Sequence, residues 1–166
     1  RDQWLSEGFA QYSAALYTLK GLEREDQFMD MLDAWRLDVL GEVNIGQTNG
    51  KNYGFRPEAI RRSDGHKSGP LSIGYRLRTA ETPLDYRLLV YEKGAFVLHM
   101  LRMMLIELET GDDELFRKLM RGFFGEHLFS SATTIAFEMA VTEAFGTPMD
   151  WFFDQWVHGV NIPTYR

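Results

Sequence analysis

Leu5, Phe9, Tyr12, Leu16 and Leu19 recur at spacings of four and three, which predicts an amphipathic helix ending near Gly21. Phe28, Met31, Leu32, Trp35 and Val39 repeat the pattern before Gly41 and predict a second. From Leu88 to Leu108 the chain is apolar on almost every side, interrupted mainly by Glu92, Lys93, His99, Arg102 and Glu107, as expected of a central helix covered by others. Asp112 or Asp113 can cap a fourth helix carrying Leu115, Phe116, Leu119, Met120 and Phe123 on one face. Thr133 or Thr134 starts a fifth, which turns Phe137, Ala140, Val141 and Ala144 inward and stops at Gly146. Thr147 followed by Pro148 supplies an N-cap and first turn for a sixth helix running through Trp156. The expected fold class is therefore all-α, a single lobe of about six helices over residues 1–166, without the regular period of a solenoid.

Residues 42–85 break this regularity. Gly46, Gly50, Gly54, Gly65, Gly69 and Gly74, with Pro57, Pro70 and Pro83, exclude a long helix. Val43 to Ile45 and Leu71 to Leu77 are candidates for short extended pieces. A long irregular loop or insertion is expected here, either a substrate-facing wall at the mouth of a cleft or a mobile excursion.

Composition narrows the function classes. With 45% apolar residues, four Trp, seven Tyr and twelve Phe, the 166-residue chain can bury a core of its own. A net charge of -6, with the basic residues scattered, argues against nucleic acid as a partner. The densest basic cluster, Arg61-Arg62 beside Lys67, is accounted for by a solvated loop. No run approaches the roughly 20 apolar residues of a membrane span. The absence of cysteine excludes disulfides and cysteine-ligated metal without fixing a compartment, so localisation stays open.

Among motifs, the sequence contains no G-x-S-x-G, no G-x-G-x-x-G and no phosphate-binding G-x-x-x-x-G-K-[ST]. Its four histidines, His66, His99, His127 and His158, form neither H-E-x-x-H nor, because of Phe123, H-x-x-E-H. His99 on the central helix fits a hydrogen-bonded core histidine, and His158 fits a helix C-terminus.

Three segments carry a resemblance. Trp4-Leu5-Ser6-Glu7-Gly8-Phe9-Ala10-Gln11-Tyr12 resembles the helix that supplies the third zinc ligand in gluzincin aminopeptidases of the aminopeptidase N type. Tyr91-Glu92-Lys93-Gly94 is similar to that family's Y-x-K-G segment. Trp151-Phe152-Phe153-Asp154-Gln155-Trp156 is similar to the F-F-x-Q-W segment near the end of the same lobe. Their order and approximate separation match the family over nearly the whole chain.

The resemblance implies the helical lobe of a thermolysin-like metallopeptidase domain, part of a zinc enzyme that removes N-terminal residues from peptides. It assigns Glu7 as a zinc ligand and Tyr91 as the hydrogen-bond donor to the oxyanion, with Tyr86 a second candidate site residue. No other cofactor is implied. In the family two histidines of an H-E-x-x-H helix complete the zinc site, and only six residues precede Glu7 here. The expected partners are therefore the remainder of the peptidase domain and a peptide substrate, and the chain by itself is expected to be inactive. Without the resemblance, Glu7 is a solvated helical glutamate and Tyr91 a core tyrosine. A catalytically inactive, peptidase-like scaffold for protein-protein contacts is the alternative, and a free-standing ligand-binding helical domain is a third. If the assignment is right, Glu7 and Tyr91 converge on one concave surface within roughly 10 Å.

Overall fold

The computed structural model of the protein describes residues 2–40, 69–80 and 85–160. These form α1 (Gln3–Leu16), α2 (Glu25–Leu40), α3 (Gly94–Leu105), α4 (Glu114–Glu126), α5 (Thr134–Phe145) and α6 (Asp150–Phe153), with a 3-10 helix at Leu71–Leu77. Three are extended by π-helical segments: Tyr17–Gly21 continues α1, Arg87–Lys93 leads into α3, and Asp154–His158 continues α6. Among the described residues there is no strand, and no helix is long and apolar enough to cross a membrane.

The all-α expectation holds, and most of the apolar stripes face the core as predicted. Leu5, Phe9 and Tyr12 of α1 are buried, as are Phe28, Leu32 and Trp35 of α2. Thr133 caps α5 by accepting a hydrogen bond from the Ala136 backbone at 3.1 Å. At its other end Gly146, with φ of 67°, adopts the left-handed conformation that lets its N–H reach the Thr142 carbonyl at 2.9 Å.

Several boundaries differ from expectation. Leu71–Leu77 is a 3-10 helix rather than an extended piece, and it is kinked at Gly74, whose φ of 57° and ψ of -127° glycine adopts without a Cβ clash. The central helix stops at Leu105 because Ile106 is extended. Leu115 lies on the exposed side of α4. Asp113 flanks α4 without capping it through its side chain, because that carboxylate is engaged by Arg102. The last helix begins at Asp150, so Thr147 and Pro148 precede it. Val43–Ile45 and His66 lie outside the described residues, as does most of the 42–85 segment.

The core has an aromatic hub at Phe137. Its ring packs at 5.9 Å from Trp4, 5.1 Å from Phe9, 4.9 Å from Phe123 and 6.1 Å from Phe153, joining α1, α4, α5 and α6. Trp4, fully buried, donates its indole N–H to Thr134 Oγ1 at 2.9 Å. Asp2 Oδ2 accepts from the Thr134 backbone at 2.7 Å, so the start of α1 is pinned to the start of α5.

A polar network ties the other side together. Arg102 Nε donates to Asp113 Oδ2 at 2.7 Å, and both side chains are buried. Burial alone would raise the Asp113 pKa, but the Arg102 hydrogen bond and charge, with Lys20 and Arg117 nearby, outweigh it and hold the carboxyl low. Tyr12 Oη lies 3.1 Å from His99 Nδ1, and the His99 ring packs edge-on against Phe28 and Phe96.

The tightest contact is between backbones. A Cβ on Gly8 of α1 would stand 2.9 Å from the Gly94 carbonyl carbon and 3.1 Å from its Cα, so α1 and α3 touch main chain to main chain at these two residues.

Two outcomes follow from this packing. Gly8→Ala should lower stability by about 1–3 kcal/mol through overpacking against a rigid helix backbone, despite alanine's better helix propensity. Gly94→Ala, whose nearest clash is 3.3 Å, should cost less, and Gly122→Ala on α4, with nothing within 4 Å, should be neutral or stabilising. Thermal or urea unfolding of the three variants checks the order; a harmless Gly8→Ala would contradict the contact.

The second outcome concerns pH. Burial, aided by the Arg102 charge, pushes the His99 pKa from 6.5 down to about 4. Between those values the unfolded chain takes up a proton that the folded chain refuses, so stability falls as pH drops from 6.5 towards 4. His99→Gln should flatten that part of the Tm-versus-pH curve; identical curves for the two proteins would show that His99 does not contribute.

Candidate functional site

Helix α1 lies against α3 and against Arg87–Lys93, so residues near the Gly8–Gly94 contact on the two helices meet across one seam. On α1 that residue is Glu7. On the opposing helix it is Tyr91, three positions before Gly94.

The Glu7 carboxylate is close enough to the Tyr91 hydroxyl to change its titration. Burial comes first in raising the Tyr91 pKa above 10.0, followed by the hydrogen bond to Glu7 and then by the Glu7 charge, with Arg87 opposing. Tyr86 is raised as well, by burial and then by the charge of Glu7. The three residues singled out in the sequence are thus brought together, and both phenols are protonated at neutral pH.

The backbone explains how two tyrosines five positions apart share a face. In an α-helix such residues diverge by roughly 140°. Arg87–Lys93 is instead π-helical, and its i to i+5 hydrogen bonding brings positions five apart back into register. The Tyr86 and Tyr91 rings consequently pack edge to face, with centroids 6.0 Å apart and planes 75° apart.

Two further residues belong to this surface and were missed in the sequence. Tyr75, from the 3-10 helix, packs edge to face on Tyr86 at 5.7 Å. Gln3 Oε1 accepts the Tyr75 backbone N–H at 2.6 Å, fastening that helix to the first turn of α1. The signal that could have found them was the tyrosine itself, placed in a segment whose glycines and prolines obscured its helical character. Lys93, between Tyr91 and Gly94, is buried, and burial pushes its pKa down to about 8.

As for metal, a half-buried carboxylate presented by a rigid helix is a donor that zinc accepts. Among the described residues no group of three or more His, Cys, Asp or Glu could hold a metal ion. Glu7 offers one such oxygen donor and belongs to no such group among the described residues. His127 is occupied locally, with Nδ1 3.0 Å from the Phe123 carbonyl and its ring on Phe123, and His158 is exposed at the end of its segment.

Comparison with known proteins adds one finding. The model of the Peptidase family M1 domain matches residues 1–156. No curated protein and no solved structure matches the chain.

Proposed function

Because the chain belongs to peptidase family M1, we propose that it is the helical lobe of a zinc aminopeptidase's catalytic domain, in which Glu7 is a metal ligand and Tyr91 the oxyanion donor. The observation that carries this reading is the Gly8–Gly94 backbone contact, which sets α1, with Glu7, against the helix that bears Tyr91, where burial and then Glu7 raise the Tyr91 pKa.

The roles follow from the side-chain chemistry. Bound zinc in such a site supplies a Lewis acid that polarises a peptide carbonyl and activates water. Glu7 contributes a negative oxygen donor, held in place because α1 cannot slide past the Gly8–Gly94 contact. Tyr91 stays protonated, since burial and then Glu7 both raise its pKa, and it therefore has a proton to share with a developing oxyanion. With the Glu7 oxygens holding the metal, the Tyr91 hydroxyl would be free to donate to substrate. Tyr86 acts as a positioning residue, bracing the Tyr91 ring edge-on.

Because one carboxylate cannot hold zinc alone, the 166-residue chain in isolation should be inactive on amino-acid anilides and bind zinc weakly in calorimetry. Stoichiometric, tight binding would overturn the ligand assignment.

In the intact enzyme the two residues should fail differently. Glu7→Ala should lose bound zinc, measured by elemental analysis, together with activity. Tyr91→Phe should keep zinc and fold while kcat falls about 100- to 1,000-fold with little change in KM, the loss of one oxyanion donor. Near-normal kcat in Tyr91→Phe would return this tyrosine to a purely structural role. Full zinc content in a folded but inactive Glu7→Ala enzyme would remove Glu7 from the metal.

A further inference from the structure

We propose that Tyr75 is a specificity-determining residue of the same cleft, recognising an aromatic or large apolar side chain on the peptide that leaves after cleavage. This rests on the peptidase reading above and adds the substrate feature that the outer part of the cleft selects.

The inference starts from a ladder of three phenol rings. Tyr91, beside Glu7, packs edge to face against Tyr86 at 6.0 Å, and Tyr86 packs the same way against Tyr75 at 5.7 Å. The ladder leads outward: Tyr75 is 59% exposed, whereas Tyr86 and Tyr91 are half-buried. Exposed large aromatics normally lack anchoring, yet Tyr75 is held at both ends. Its backbone N–H is tied to Gln3 Oε1 at 2.6 Å, and the helix that bears it is sunk into the core by Leu71 and Leu77, both fully buried. The kink at Gly74 immediately precedes it. With its backbone anchored and one ring edge on Tyr86, Tyr75 keeps an open face that can stack with a partner.

Distance then selects the part of the substrate. An extended peptide advances about 3.3–3.6 Å per residue. Two ring-to-ring steps of 6.0 and 5.7 Å span at most about 12 Å, roughly three residues from a carbonyl bound at Tyr91. An aminopeptidase has a single residue on the amino side of the scissile bond. A side chain that far away therefore belongs to the leaving peptide.

The test uses the intact enzyme and three alanine-terminated substrates: a peptide with Phe at the second and third positions of the leaving portion, its Gly counterpart, and alanine p-nitroanilide. Tyr75→Ala should lower kcat/KM for the Phe peptide about five- to tenfold, the worth of one aromatic contact, while the Gly peptide and the anilide change by less than about twofold. Tyr75→Phe should retain the preference for Phe, since the ring rather than the hydroxyl makes the contact. Tyr75→Leu, which keeps apolar bulk, should show a smaller loss of the same kind and serves if Tyr75→Ala does not fold. Equal losses on all three substrates would mean that Tyr75 only supports Tyr86, and no loss on any would mean that substrate never reaches it; either overturns the proposal. Wild-type enzyme that hydrolyses none of the three would instead overturn the peptidase reading on which it rests.

Discussion

The backbone contact between Gly8 and Gly94 is the constraint on which the rest of the arrangement depends. Two helices normally cross with side chains between them, at interaxial distances of about 8–10 Å. Here a Cβ on Gly8 would stand 2.9 Å from the Gly94 carbonyl carbon, closer than two carbon atoms can sit, so Gly8 cannot carry a side chain without separating the helices, while a Cβ on Gly94 would meet only a tight 3.3 Å contact. The two functional candidates flank that point of closest approach. A shift of either helix along its axis would move Glu7 away from Tyr91, and at position 8 only glycine permits the approach.

Around that point the lobe is braced from two sides by different physics. Phe137 and its aromatic neighbours fix α1 to α4, α5 and α6 by apolar packing with edge-to-face rings. Tyr12, His99, Arg102 and Asp113 fix α1, α3 and the start of α4 by hydrogen bonds and charge in a buried setting. Removing one partner of such a buried pair leaves an uncompensated charge, which makes the network a stiff joint. Titration shifts in this protein thus mark two different things. His99 is displaced by burial in a joint, whereas Tyr91 is displaced by burial together with the carboxylate it faces.

Much of this was legible in the sequence, for identifiable reasons. Apolar spacings of three and four placed α1, α2, α4 and α5, since they report the face each helix buries, whereas α3 was placed by its nearly all-round apolar character and α6 by a start signal. Thr133 and Gly146 marked the ends of α5 because each acts through its own local hydrogen bonds. Glu7, Tyr91 and Tyr86 were found through segment resemblance. What stayed hidden was backbone geometry that side-chain period does not encode. The π-helical turn that aligns Tyr86 with Tyr91 leaves no mark in an apolar stripe. The 3-10 helix bearing Tyr75 depends on a glutamine from the first turn of α1, a contact with no local signal. Thr147-Pro148 misled because Met149, buried just after them, takes the N-cap position instead.

In the proposed function the Gly8–Gly94 contact would hold Glu7 and Tyr91 ready to act on one metal-bound substrate. The most direct test of that reading is a crystal structure of the intact enzyme with a tetrahedral transition-state analogue, the metal located by anomalous scattering. The account predicts a Glu7 oxygen about 2.0–2.2 Å from zinc, the Tyr91 hydroxyl at hydrogen-bond distance from the analogue's oxyanion, and the two glycines still in contact. A zinc ion without Glu7 in its coordination sphere, or an oxyanion that Tyr91 does not reach, would contradict it.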